Sequence, residues 1–260
     1  MNNTSRSKKT EIILQIFSYS WIIWFIIPFL LLAFVVTTKF SLVSAVIHDS
    51  RFWMAFFISL VSAFAVIILA ALFAIPTAYF LAYHTFPYQA SLETLLIDIP
   101  QTFPPVAVGV IYLFVFGSNS PINLAFTFTA VIIAKLIVSA PFTLSHTLRK
   151  FREIQQQKLD LVARSLGAGP QDLLFRVLIP LAKRDIVAGL TLSWARAMGE
   201  FGGSLIFAGV IAYKTEILPT YTNRVVSLNP YLALAATAVM AVFAIVAITA
   251  VRSLINRKGK

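Results

Sequence analysis

Long apolar runs recur along almost the whole of this chain, and they restrict what it can fold into. Several of them approach or exceed the ~20 residues that a helix needs to cross the hydrocarbon core of a bilayer. Hydrophobic residues make up 59% of the sequence and charged residues 12%, whereas about a quarter of a soluble chain is charged. A chain with only a single apolar run of this length would fit a signal peptide or a membrane anchor. The recurrence predicts an all-α, polytopic membrane protein, and without a separate soluble region residues 1–260 are expected to form one domain.

The apolar runs predict six membrane-spanning helices, the first of which lacks a small-residue cleavage pattern and is therefore expected to be retained. Their expected ranges are Tyr19–Val36, Trp53–Tyr83, Pro104–Phe116, Ile122–Leu144, Ile186–Ala212 and Tyr231–Val251. Ile99 is an alternative first residue for the third helix.

The distribution of Lys and Arg between alternate loops predicts the orientation of the chain. Fifteen of these residues lie on one side, in the N-terminal segment, the loop from Arg149 to Arg184 and the C-terminal tail, and four lie on the other side. Because basic loops stay in the cytoplasm, both termini are expected to be cytoplasmic, in a multi-pass protein of the inner membrane. The same rule accounts for the net charge of +11 without a nucleic-acid partner.

Nothing in the sequence predicts a catalytic or metal site. There is no cysteine, and the three histidines lie far apart, at His48, His84 and His146. The nearest approach to a phosphate-binding GxxxxGK[ST] loop, residues 165–169, lacks the Lys that must follow. The chain is therefore not expected to be an enzyme or to hydrolyse ATP itself.

The one long loop, at about 147–185, has the pattern of a helix–turn–helix. Its first piece carries an apolar stripe at Leu159, Val162, Ala163 and Leu166. Gly167, Ala168 and Gly169 then break the helix, and Pro170 suits the first position of a second helix that is expected to end at Pro180. The alternative is an ordinary amphipathic helix lying on anionic lipid.

Residues 160–168, continuing through Pro170 to Pro180, resemble the EAA loop of permeases from ABC importers. In that family the loop forms a coupling helix that docks into a cleft on the ATPase subunit. The resemblance marks six residues as ATPase-coupling candidates: Asp160, Ala163, Gly167, Ala168, Pro170 and Pro180. The motif's glutamate is missing at the spacing set by Gly167, where Leu161 stands, and Asp160 comes one residue early.

Two further stretches resemble the permeases for molybdate, tungstate and sulfate. Pro100, Pro104, Pro105 and Gly109 resemble the proline-rich start of their third helix. Residues 196–202 (RAMGEFG), Ala208-Gly209 and Lys214-Thr215-Glu216 resemble their RAxGEFG…AG…KTE stretch.

The resemblance implies the type I ABC importer permease fold and a role in oxyanion import by alternating access. It also implies a second permease copy, an extracytoplasmic substrate-binding protein and a separate ATPase subunit that uses ATP and Mg²⁺, so that this chain binds no cofactor directly. A permease for sulfate or another small solute is the alternative. A stand-alone secondary transporter is a weaker one, because no duplicated pair of interrupted helices is evident.

Ionisable residues within the predicted helices point to the pathway independently of the resemblance. Lys135 lies in the fourth helix, and Arg196 and Glu200 lie four residues apart in the fifth, where they can pair. Because each costs at least ~2.5 kcal/mol at bilayer depth, it should face protein or water. They either line the pathway or form a structural ion pair. The pathway or gate candidates are Arg196, Glu200, Lys135, Pro104, Pro105, Gly109, Lys214 and Thr215.

Overall fold

The computed structural model describes the backbone of residues 2–257 and the side chains of residues 11–246 and 249. Within these residues all regular structure is helical. The α-helices are α1 (Asn2–Thr38), α2 (Phe40–Ile47), α3 (Ser50–Tyr83), α4 (Gln89–Glu93), α5 (Ile99–Thr102), α6 (Pro105–Phe116), α7 (Phe128–Gln156), α8 (Leu159–Ser165), α9 (Pro170–Asp172), α10 (Ile179–Met198), α11 (Gly202–Phe207), α12 (Leu218–Leu228) and α13 (Pro230–Arg257). Two π-helical turns, Thr94–Asp98 and Leu173–Leu178, join α4 to α5 and α9 to α10.

Each of the six predicted membrane segments overlaps helical structure, with different ends in the fourth and a break in the fifth. By length and composition, three described helices can cross a membrane: the part of α1 from Glu11 to Thr38, α3 and α7. A fourth span is possible if Gln89–Thr102 and α6, which meet at an angle of 113°, count as one broken helix. The basic residues near the ends, which entered the orientation argument, lie outside the residues whose side chains the structure describes: Arg6, Lys8, Lys9, Arg252, Arg257, Lys258 and Lys260.

The contacts divide the chain into two compact units, residues 50–221 and residues 1–49 with 222–260. In the first unit, α3 and α10 pack against α7, and α6 packs against α11. Its largest apolar cluster joins the C-terminal half of α3 to α7, to the π-turn at Leu173–Leu178 and to α10. In the second unit, α13 packs against α1 and α2.

The fourth predicted helix is shifted along the chain in the structure. It begins at Phe128 rather than Ile122, because the Thr127 side chain accepts a hydrogen bond from the backbone N–H of Ala130 and caps the helix there. It runs on to Gln156, well past the predicted end at Leu144. The first ten residues of the predicted 147–185 loop are therefore part of α7.

The prediction that Pro180 ends the second helix of the loop is wrong. Helical structure runs from Pro170 through Pro180 to Met198. The π-turn just before the proline makes this possible: the Ile179 N–H bonds the Leu174 carbonyl, five residues back, so the chain has already left the regular α-helical pattern. The loop outside the long helices is thus shorter than expected.

The fifth predicted helix, at about Ile186–Ala212, is not continuous. It begins earlier, ends at Met198, is interrupted at residues 199–201 and resumes as the short helix α11. This break determines the position of Glu200.

Candidate functional site: the helix–turn–helix and the buried polar groups

The turn between α8 and α9 is built around Gly167, whose φ of +86° lies in the left-handed region that favours glycine. The Ala168 N–H bonds the Ala163 carbonyl at 3.1 Å, and the Gly167 N–H bonds the Arg164 carbonyl at 2.9 Å. These two bonds are those of a Schellman motif, which satisfies the last carbonyls of a helix. Pro170 occupies the first position of the next helix, where its missing N–H costs nothing. The predicted helix–turn–helix is therefore present.

The faces of α8 differ from the predicted apolar stripe. Ala163 packs against the main apolar cluster, as expected. Val162 and Leu166, however, are 63% and 85% exposed, and Leu161, where the motif's glutamate would stand, is 51% exposed. Leu161, Val162 and Leu166 therefore form an exposed apolar surface, the tip of α8.

Asp160 faces the interior of the unit and is only 3% exposed. One of its carboxylate oxygens lies 3.7 Å from the Arg164 side chain, one turn later on α8. The guanidinium of Arg164 in turn lies over the ring of Tyr83, 5.3 Å from its centroid. The structure thus places the acidic candidate of this loop against the end of α3 rather than at the exposed face.

Glu200 caps α11 from the break in the fifth helix. Its carboxylate accepts hydrogen bonds from the backbone N–H groups of Gly203 at 2.7 Å and Ser204 at 3.2 Å, and another from the Ser204 hydroxyl. A carboxylate at this position satisfies N–H groups that have no partner within the helix and suits the positive end of its dipole. Glu200 is fully buried, and none of the ion pairs found among the described residues joins it to Arg196.

The expected Arg196–Glu200 pair is not formed because the helix ends between the two residues. Residues four apart share a helical face only while the helix is continuous, and α10 stops at Met198. Arg196 remains on the last turn of α10 and is half-buried.

Lys135 is fully buried in the N-terminal half of α7. Its ammonium group donates to the Ser62 hydroxyl at 2.8 Å and to the Ser59 carbonyl at 3.4 Å, both on α3. The Ser59 hydroxyl accepts a hydrogen bond from the backbone N–H of Leu218 at 2.8 Å. Sequence reasoning missed both serines, since a serine in an apolar helix gives no indication of a partner more than 70 residues away.

The proline-rich segment forms the sharp bend before α6, and α6 packs closely on α11. Phe103 and Pro104 are extended, and Pro105 begins α6. A Cβ on Gly109 would lie 2.8 Å from the Gly203 carbonyl oxygen, so only glycine allows the two helices this approach. A Cβ on Gly203 would lie 3.2 Å from a Glu200 oxygen and 3.5 Å from the Ala134 side chain, next to Lys135. The structure therefore brings Gly109, Glu200 and α7 at Lys135 together around Gly203.

Lys214 and Thr215 lie in a separate turn between α11 and α12. Lys214 is exposed, whereas the buried Thr215 hydroxyl donates to the Gly209 carbonyl and accepts from the Ile211 N–H. The next residue, Glu216, is buried and binds Arg51 at the start of α3 through two hydrogen bonds of 2.5 and 3.0 Å. This pair was not among the predicted site residues, because its members lie 165 positions apart.

Comparison with known families decides the class of the chain. Residues 74–260, more than half of the sequence, match the family described as "Binding-protein-dependent transport system inner membrane component". The chain belongs to this family. Membership confirms the predicted class, a multi-pass transport component of the inner membrane.

Two relatives of this inner-membrane family show the extent of the similarity. The "Probable transport system permease protein NifC" of Clostridium pasteurianum is 34% identical over 171 residues, which cover 62% of this chain and 59% of the relative. The molybdate/tungstate transport system permease protein WtpB of Thermococcus kodakarensis is 35% identical over 162 residues, covering 62% of this chain and 63% of the relative. The chain thus spans less than two thirds of the length of each.

A solved structure shows the same fold over nearly the whole chain. A bacterial alginate ABC transporter, in complex with an alginate pentasaccharide-bound periplasmic protein, contains a chain that superposes with a TM-score of 0.78. The match covers 98% of both chains at 17% sequence identity. It confirms the predicted ABC permease fold.

Proposed function

We propose that this chain is the transmembrane permease subunit of an ATP-driven, binding-protein-dependent importer of molybdate, tungstate or a related oxyanion. Two copies would form the pathway, a separate ATPase subunit using ATP and Mg²⁺ would drive it, and an extracytoplasmic protein would deliver the anion. The names of the relatives support the class of substrate, and the family supports delivery by a binding protein.

The observation that carries the mechanism is the exposed apolar tip of α8. Leu161, Val162 and Leu166 are exposed on α8 and at its end, where two backbone hydrogen bonds close the Gly167 turn and Ala163 packs against the main cluster. An exposed apolar surface marks a site of interaction with protein or membrane, and an ordered helix–turn–helix can transmit force where a flexible loop cannot. In the proposed orientation this tip faces the cytoplasm, where the ATPase would bind it.

The buried charges support a pathway that binds the anion weakly. The carboxylate of Glu200 is occupied by the backbone of α11, and the ammonium of Lys135 is occupied by α3. Neither group is placed to coordinate a passing dianion in this conformation, which leaves Arg196 as the candidate on α10. Selectivity would then reside mainly in the delivering protein, and weak contacts would let the anion leave.

Uptake into vesicles that contain the whole complex tests the proposal. The permease would be reconstituted with the ATPase and binding protein of its organism, and labelled molybdate uptake would be competed with tungstate, sulfate and an amino acid. We expect ATP-dependent uptake that tungstate inhibits more strongly than sulfate. ATP-dependent uptake of the amino acid with none of the oxyanions would overturn the substrate assignment, and uptake without ATP would favour a secondary transporter.

A further inference from the structure

Two buried polar atoms without hydrogen-bond partners lie where α3 meets the helix–turn–helix. Within the described part of the chain, the Tyr83 hydroxyl and the Asp160 Oδ1 atom are both enclosed by protein, and neither has a hydrogen-bond partner. The phenol can donate one hydrogen bond, and the ionised carboxylate oxygen can only accept, so the two groups are chemically complementary. Buried polar atoms are almost always paired, and each exception calls for a reason.

Arg164 shows that the two groups are neighbours. Its guanidinium lies 3.7 Å from the other oxygen of Asp160 and 5.3 Å from the centroid of the Tyr83 ring. The carboxylate also acts electrostatically on the Tyr83 hydroxyl. Tyr79, one turn earlier on α3, stacks on Tyr83 with ring centroids 5.2 Å apart and restricts the ring. The Tyr83 ring and the Asp160 carboxylate therefore both contact the guanidinium of Arg164.

Tyr83 lies at the end of a long helix. It is the last residue of α3, an unbroken helix of 34 residues that is roughly 50 Å long at 1.5 Å per residue. At the other end of the same helix, Arg51 binds Glu216 in the turn after α11. A displacement of α8 that reaches Tyr83 therefore acts on one end of a continuous helix whose other end is paired with Glu216.

We propose that Tyr83 is a positioning residue for the coupling helix: its hydroxyl donates to Asp160 as α8 is displaced, and so transmits the displacement of α8 to α3. This inference rests on the proposed function, in which α8 receives the motion of the ATPase. It gives Asp160 an internal role, in place of the acidic contact with the ATPase that the sequence motif implied.

The test is the amount of oxyanion imported per ATP hydrolysed by the reconstituted complex. Tyr83→Phe removes only the hydroxyl, and we expect ATP hydrolysis within twofold of wild type while uptake per ATP falls at least fivefold. Tyr88→Phe is the matched control, because Tyr88 is 85% exposed. A Tyr83→Phe complex with the wild-type ratio would overturn the proposal.

Two substitutions at Asp160 separate the hydrogen bond from the charge. Asp160→Asn keeps an oxygen acceptor but loses the ion pair with Arg164, whereas Asp160→Leu loses both. We expect the uptake per ATP of the Asn variant to exceed that of the Leu variant at least threefold, and Tyr83→Phe to add little to Asp160→Leu. Equal uncoupling by both substitutions would show that the charge on Asp160, rather than its bond to Tyr83, is what matters.

A spectroscopic measurement tests the contact without any transport. The chain contains no cysteine, so Ser165→Cys provides a unique site for a spin label next to the turn. In the reconstituted complex held with a non-hydrolysable ATP analogue, where the ATPase is expected to displace α8, Tyr83→Phe should increase the mobility of the label, and Tyr88→Phe should leave it unchanged. Unchanged mobility in Tyr83→Phe would contradict the inference even if oxyanion uptake succeeds. Failure of wild-type uptake alone would contradict only the proposed function.

Discussion

Gly167 allows one prediction to be worked through from backbone geometry alone. Its φ is +86°, and a Cβ built on it would meet no atom within 4 Å. The cost of Gly167→Ala is therefore conformational rather than steric, about 1–2 kcal/mol for an L-residue in the left-handed region. Because ~1.4 kcal/mol is a factor of ten in an equilibrium, this disfavours the native turn by about tenfold relative to other conformations. A β-branched residue such as Val should cost more.

Gly169 provides a matched control two residues away. Its φ is −75°, an ordinary value for any residue, and a Cβ there also meets nothing within 4 Å. Gly169→Ala should therefore leave the turn intact. Gly167→Asn should be intermediate, because asparagine tolerates the left-handed region better than other residues with a Cβ.

The assay is oxyanion uptake and ATP hydrolysis by the reconstituted complex, with membrane insertion checked separately. Gly167→Ala should reduce uptake severalfold and Gly167→Val further, while both proteins still insert, because the turn lies outside the long helices. Gly169→Ala should stay within twofold of wild type. Normal uptake and substrate-stimulated hydrolysis in Gly167→Val, or an equal loss in Gly169→Ala, would refute the reasoning.

Three further predictions follow from the positions of single residues. A membrane-impermeant thiol reagent should label Ser165→Cys only from the inner face, and labelling of intact cells from outside would reverse the proposed orientation. Glu200→Ala should lower the free energy of unfolding by about 1 kcal/mol or more through loss of the α11 cap, and an unchanged thermal midpoint of the solubilised protein would contradict this. Gly109→Ala should cost about 1–3 kcal/mol through overpacking against Gly203. Gly199→Ala, whose Cβ would be 3.7 Å from its nearest neighbour, should be tolerated, and equal midpoints for the two variants would show that α6 and α11 are not closely constrained.

The sequence was sufficient for the features that depend on local pattern. Apolar length predicted the approximate positions of the long helices, and the sequence Gly-Ala-Gly-Pro predicted both the break after α8 and the start of the next helix. Gly167 has the positive φ that a glycine ending a helix commonly adopts. These features depend on a few neighbouring residues, so no tertiary contact was needed to infer them.

The features that the sequence did not predict depend on tertiary contacts or on breaks in a helix. Arg196 and Glu200 have the spacing of a helical pair, but the chain breaks at Gly199 and the carboxylate turns to the backbone of α11. The Gly-Gly-Ser that follows Glu200 by two residues was the available signal for this cap. The inward orientation of Asp160 had no local signal, because its neighbour Tyr83 lies on another helix.

The central claim is that the tip of α8 receives the motion of an ATPase on the cytoplasmic side. In the cysteine-free chain, a photoreactive cross-linker attached to Leu166→Cys reports which protein the tip touches. Tyr213 is exposed in the turn after α11, and in the proposed topology Tyr213→Cys lies on the opposite side of the membrane. The account predicts a cross-link to the ATPase subunit from position 166 and none from position 213. A cross-link to the ATPase from position 213, or its absence from position 166 in a complex that hydrolyses ATP, would contradict the claim.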